Sequence, residues 1–123
     1  MASFDFGPLN GGNTAGGTGA PIVVAATATP GTSVHKVPAN CRDEIRIFGN
    51  NEDTSARVLA LEIAGVGATY TKYYPLPPAS AAATGTGDQL ITEITLNANE
   101  EVKAWVASGA SKVKLHGKYM RKS

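Results

Sequence analysis

The hydrophobic positions of this chain recur with a period of two. From Arg42 to Phe48, Ile45 and Ile47 fall on one side and Glu44 and Arg46 on the other, and Gly49-Asn50-Asn51 then supplies turn residues. Ala56 to Ala64 repeats the pattern with Leu59, Leu61 and Ile63, closed by Gly65-Val66-Gly67. Its Ala, Leu and Glu residues also suit a helix, but the span between turn glycines is short and the alternation is clean, which predicts a strand. Ile22 to Thr29 and Ser33 to Val37 flank Pro30-Gly31, and Ala68 to Tyr74 runs into Pro75-Leu76-Pro77-Pro78. Gln89 to Leu96, Glu101 to Ala107 and Lys112 to Tyr119 complete a series of eight predicted strands.

Short strands with turn signals roughly every 8 to 12 residues predict an all-β fold, an antiparallel β-sandwich of jelly-roll type. The core between its sheets is expected to hold Ile45, Ile47, Leu59, Leu61, Ile63, Leu90, Ile94, Leu96, Val102, Val106, Val113 and Leu115. Ala79 to Gly87 is small and uncharged, which reads as a long exposed loop.

Residues 1–20 break the pattern. They carry six glycines, one charge at Asp5, and Phe4, Phe6 and Leu9 as their only large apolar groups, too few to offset the entropy of ordering. The organisation predicted is a flexible glycine-rich N-terminal arm over 1–20, a β-sandwich domain over 21–119 and a basic C-terminal tail over 120–123.

At 123 residues the chain is one domain's length. Eleven Lys and Arg against ten Asp and Glu leave a net charge of +1, so there is no global field to capture nucleic acid or an acidic membrane. Charged residues are 17 %, below the roughly 25 % of ordinary soluble domains, so the surface is rich in small uncharged residues or is covered by a partner. Cys41 is the single cysteine, which fits maturation in a reducing compartment. With no secretory-type start and no long apolar run, a soluble product of the cytoplasm with no membrane partner is the expectation.

Candidate chemistry is sparse. His35 and His116 lie far apart and imply no third metal ligand, so both are expected on the surface. The carboxylate pairs Asp43-Glu44, Glu52-Asp53 and Glu100-Glu101 are neighbours on strands or turns, and neighbours on a strand point to opposite faces. Cys41 next to Arg42 has no local histidine, and the glycines of 10–19 neither end in Lys-Ser/Thr nor open a helix. No catalytic residue, metal site or cofactor is predicted. Lys112, Lys114, Lys118, Arg121 and Lys122 form a run without acids, read as a basic strand edge or a contact with an acidic neighbour. Trp105 lies opposite the Val102/Ala104/Val106 face, and Phe48 shares parity with Glu44 and Arg46. Both aromatics therefore fall on polar sides, where an interface would use them.

Val37-Pro38-Ala39-Asn40, the strand around Ile45-Arg46-Ile47, Gly49-Asn50-Asn51, Tyr73-Tyr74-Pro75-Leu76-Pro77 and Leu96-Asn97-Ala98-Asn99-Glu100-Glu101-Val102 leading to Trp105-Val106-Ala107 follow one another in a characteristic order. Over residues 32–119 this order resembles the small β-sandwich structural proteins of tailed bacteriophage virions, most of all the capsid decoration, or cement, proteins. The resemblance implies binding without catalysis, on the capsid surface, with the major capsid protein or other virion proteins as partners. It also implies a homo-oligomer, with a trimer favoured. Phe4, Phe6, Leu9, Phe48 and Trp105 are the expected interface residues. Neck, tail and fibre modules share such sandwiches. A carbohydrate-binding sandwich is the alternative from another class, with Trp105 and Tyr70, Tyr73 or Tyr74 as a coplanar stacking platform.

Overall fold

The computed structural model describes residues 4–65, 69–78 and 89–123. The loop expected at Ala79 to Gly87 lies outside them. Nine strands run along the chain: β1 (Phe4–Pro8), β2 (Ile22–Val23), β3 (Thr32–Lys36), β4 (Arg42–Asn51), β5 (Arg57–Ala64), β6 (Tyr70–Leu76), β7 (Gln89–Leu96), β8 (Glu101–Val106) and β9 (Val113–Lys122). There is no helix among the described residues.

The strands form two antiparallel sheets. Sheet A has the order β1-β9-β4-β7, with β2 also on β9, and sheet B has the order β3-β8-β5-β6. The β-sandwich predicted from alternation is the fold. Segment 56–64 is strand because both its neighbours use it: Leu59, Leu61 and Ile63 pair with Tyr74, Lys72 and Tyr70 on β6 and with Val106, Ala104 and Val102 on β8. Asn40 and Asn99 take positive φ in the turns before β4 and β8, a conformation that asparagine tolerates better than most residues.

The core is close to the one alternation predicts. Ile45, Ile47, Leu59, Leu61, Ile63, Leu96, Val102, Val106, Val113 and Leu115 are buried between the sheets. Leu90 is not: it is half exposed, and Ile94 is only partly buried. The β4–β7 register shifts between Ile47 and Phe48, where Ile47 faces Thr92 but Phe48 faces Leu90. The skipped residue, Ile91, packs on the core in place of Leu90, and the irregularity inverts the alternation that sequence parity assumes.

The largest departure from the sequence reading is the N-terminus. Residues 4–8 are not a free arm but a strand paired with β9 from Lys118 to Lys122. Leu9 is buried in the core, and its N–H donates to the Gly117 carbonyl at 3.1 Å. The chain then crosses to sheet B, where Gly11 N–H reaches Val34 O at 2.9 Å. The buried Asn10 imitates a strand neighbour, its side chain accepting from Lys36 N at 2.9 Å and donating to Lys36 O at 2.8 Å. After the glycine-rich turn, β2 rejoins β9, and Val24 enters the core. Ala26 O then accepts from Val106 N of sheet B at 3.0 Å. Residues 9–11 and 24–26 thus lace the open side of the sandwich twice. The strand expected over 22–29 is cut to two residues because this crossing leaves sheet A after Val23.

The C-terminal tail also belongs to the fold, since β9 continues to Lys122. β9 is not a basic edge either: β1 and β2 lie on one side of it and β4 on the other.

Gly117 sits opposite Ile47 in the β4–β9 ladder, and a Cβ there would collide with the Arg46 carbonyl oxygen. Gly117→Ala is therefore expected to destabilise the domain by about 1–3 kcal/mol through forced strand separation. Urea denaturation measures it, and an unchanged midpoint would show that the strands separate freely.

Candidate functional site

Sheet A presents a patterned outer face. The side chains of Asp43, Ile45, Ile47, Val113 and Leu115 point inward, so their neighbours in sequence point out. The register arranges these outward residues in rows across the sheet. Phe4, Lys122 and Arg42 make one row, and Phe6, Met120, Glu44 and Thr95 the next. Pro8, Lys118, Arg46 and Glu93 follow, then His116, Phe48 and Leu90, then Lys114 and Asn50. Rows carrying cations alternate with apolar or aromatic rows at about 6.8 Å, twice the strand rise.

Phe6 is 75 % and Phe4 57 % exposed. Phe48 is half-buried, stacked on His116 with ring centroids 5.5 Å apart and planes at 15°. Two hollows open on this face, of about 570 and 630 Å³, and Phe6, Arg46 and Lys118 line both. Arg46 pairs with Glu93 at 3.0 Å and Lys114 with Glu52 at 2.7 Å. Both pairs are exposed, contribute little to stability and can exchange partners.

Sheet B carries a second, smaller aromatic patch on its own outer face. Tyr73 meets Trp105 edge to face, with centroids 6.2 Å apart and planes at 85°. Ala60 pairs with both in register and is buried although it lies on the outer side. Val58 and Tyr73 remain exposed beside it. The Trp105 indole N–H is buried and has no hydrogen-bond partner among the described residues. Glu62, on the same face, is buried because Thr29 Oγ1 and Gly31 N donate to its carboxylate at 2.6 and 3.0 Å. The coplanar stacking platform does not form here: Tyr73 and Trp105 are nearly perpendicular, and Tyr74 packs against the core from the other side of β6.

A third cluster is entirely internal. His35 of β3 and Asp43 of β4 are fully buried, and His35 Nε2 lies 2.6 Å from Asp43 Oδ2. Arg121 of β9 donates from Nε to Oδ1 and from a terminal nitrogen to Oδ2, both at 2.8 Å, while its guanidinium stacks 4.4 Å over the Tyr119 ring. His35 Nδ1 accepts from Asn10 N–H at 3.2 Å, which makes Nε2 the protonated nitrogen that donates to Asp43. Burial pushes the His35 pKa down, against the opposing pull of Asp43. Burial would raise the Asp43 pKa, but the hydrogen bonds from Arg121 and His35 outweigh it and hold the carboxyl below its usual range. Asp43 in turn raises the Arg121 pKa. Both imidazole nitrogens are committed within the fold, so His35 offers neither to a substrate.

The five residues expected at an interface are therefore divided. Phe4, Phe6 and Phe48 meet on the outer face of sheet A, Trp105 lies on the opposite face of the sandwich, and Leu9 is inside the core. The surface position expected for His35 is overturned, whereas His116 does stand on the outer face. Asp43 and Glu44 do point to opposite sides. The basic run is split the same way, with Arg121 turned in to Asp43 and Lys114, Lys118 and Lys122 turned out. Among the described residues, no group of three or more His, Cys, Asp and Glu could hold a metal ion.

The fold defines the class: an all-β, two-sheet antiparallel sandwich with patterned outer faces. No protein-family model matches the chain, and no curated protein matches it.

Proposed function

We propose that this protein is a non-enzymatic structural component of tailed-bacteriophage virions that decorates and stabilises the capsid shell by binding major capsid subunits. The observation that carries the reading is the outer face of sheet A, where the exposed Phe4 and Phe6 stand among cations such as Lys122, Arg42 and Lys118. Large apolar groups held in water favour burial by about 25 cal/mol per Å² covered, and a contiguous patch of this kind fits an interaction surface. Glu44 and Glu93 stand among the cations. They would repel a phosphate backbone, so the face suits a mixed-charge protein surface better than nucleic acid. The Tyr73–Trp105 patch supplies a separate contact on the opposite side, suited to a neighbouring copy in a homo-oligomer such as a trimer on the capsid surface.

Co-sedimentation with capsids stripped of the protein tests this. The double variant Phe6→Ser, Lys118→Glu should retain its fold, since both side chains lie outside the core, and should bind at least about tenfold more weakly, a loss of about 1.4 kcal/mol. Failure of the unaltered protein to bind such capsids would defeat the proposal.

A further inference from the structure

Asn10 is the only residue whose backbone N–H is received by a buried imidazole among the described hydrogen bonds, and it sits where the N-terminal segment crosses between the sheets. We propose that the Asn10–His35–Asp43–Arg121 cluster is an acid-operated latch: protonation of His35 at Nδ1 detaches the segment Phe4–Gly12, β1 included, while the other strands of the two sheets stay folded.

Neutral His35 accepts at Nδ1 and donates at Nε2, and each nitrogen has one partner of the required kind. A proton on Nδ1 turns that acceptor into a donor facing the Asn10 N–H at 3.2 Å, so the bond becomes a repulsion. Among the described residues, Asn10 N–H has no other acceptor. The new charge would lie in a fully buried ring beside a carboxylate already shared with the Arg121 guanidinium.

The groups around the ring do not remove this conflict. Asp43 on β4 already accepts from Nε2, and Arg121 on β9 adds like charge. Tyr119 on β9 presents its ring, with centroids 5.1 Å apart. Cys41 precedes β4 near Arg121, and Asp5 of β1 pairs with Arg121 in register. On β3, the Lys36 backbone is held by the Asn10 side chain, and on β8 Glu101 is occupied by Ser33 Oγ at 2.6 Å.

The segment that would leave is held to the interior at few points. β1 is an edge strand whose Phe4 and Phe6 side chains are exposed, so Leu9 and Asn10 carry its attachment to the interior. Edge elements of this kind open at lower free energy than core strands. Once Leu9–Gly12 leaves, His35 faces water and regains its ordinary affinity for protons. The detached state therefore binds more protons than the closed one, so acid favours detachment. The effect begins as pH falls below about 6.5, the ordinary histidine value, and grows up to tenfold per pH unit until the closed-state pKa is passed.

Amide hydrogen exchange on the full chain, expressed as protection factors at pH 7.5 and pH 5, tests the latch. The Leu9, Asn10 and Gly11 amides should lose protection by tenfold or more at pH 5 while those of Ile47 and Leu61 hold. In His35→Gln, which can accept and donate at the same places without titrating, that loss should vanish; His116→Gln should keep it. Should His35→Gln fail to fold, imidazole ¹⁵N shifts of the unaltered protein supply a second measurement. They should report an unprotonated Nδ1 at pH 7.5 and its protonation in step with the loss at Leu9–Gly11. Protection unchanged at pH 5, a loss shared equally by Ile47 and Leu61, or the same loss in His35→Gln would overturn the proposal.

Discussion

Asp43→Ala should destabilise the domain by about 3–5 kcal/mol at neutral pH, the range found when one member of a buried ionic pair is removed. The carboxylate is fully buried and accepts three hydrogen bonds, one from His35 and two from Arg121. Without it, a mostly buried guanidinium and an imidazole N–H both lose their acceptor. The defect joins β3, β4 and β9, so it weakens both sheets. Asp43→Asn keeps one acceptor oxygen but not the charge, and should fall between the wild type and alanine. Chemical denaturation at pH 7 gives the ranking, and a loss below about 1 kcal/mol for alanine would show that water replaces the carboxylate. The depressed Asp43 pKa makes its own contribution present above the ordinary carboxylate range and lost as pH falls through the lower folded value. That loss lies well below the pH range in which His35 acts.

Deleting residues 2–10 should cost still more, beyond about 5 kcal/mol. Removing Leu9 alone opens a cavity of the kind worth about 2–5 kcal/mol. The deletion also strips β1 from Lys118–Lys122, the Leu9–Gly117 bond and both Asn10–Lys36 bonds, at about 1 kcal/mol each. The remaining strands of both sheets should stay paired, as they do when the segment detaches, but much of the roughly 5–15 kcal/mol typical of a whole domain is gone, so the melting midpoint should fall steeply. Thermal melting decides the matter. An unchanged midpoint would restore the picture of a flexible arm outside the fold.

The difference between that picture and the fold shows where sequence patterning stops. Alternation is a local signal, and it placed β4, β5, β7, β8 and most of β9 because each repeats apolar residues at every second position. β1 has no such contrast: Phe4 and Phe6 alternate outward, and its stability comes from backbone pairing with a strand more than a hundred residues away. The burial of Leu9 and Asn10 is equally non-local, set by partners on β9 and β3. Parity failed at Leu90 because a register shift is invisible in composition.

The internal cluster was partly legible. Asp43 shares parity with Ile45 and Ile47, and Arg121 with Val113, Leu115 and Tyr119, which marks two charges on a core-facing side. Opposite charges at such positions signal a buried pair. His35 was hidden because Val34 and His35 are both buried across an irregularity between Ser33 and His35, where alternation lapses. On the outer face, parity placed Phe48 correctly, and it placed Trp105 opposite the core valines. That the two lie on opposite sides of the molecule depends on sheet order, which parity does not encode.

The proposed seat of this sandwich on a capsid shell is the outer face of sheet A. Electron cryomicroscopy of stripped capsids incubated with the purified protein tests it most directly. Density is expected at regular lattice positions, with Phe6, Lys118 and Phe48 against the shell and Tyr73 and Trp105 turned toward a neighbouring copy. Bare capsids at saturating protein, or lattice density with the outer face of sheet A turned to solvent, would contradict it.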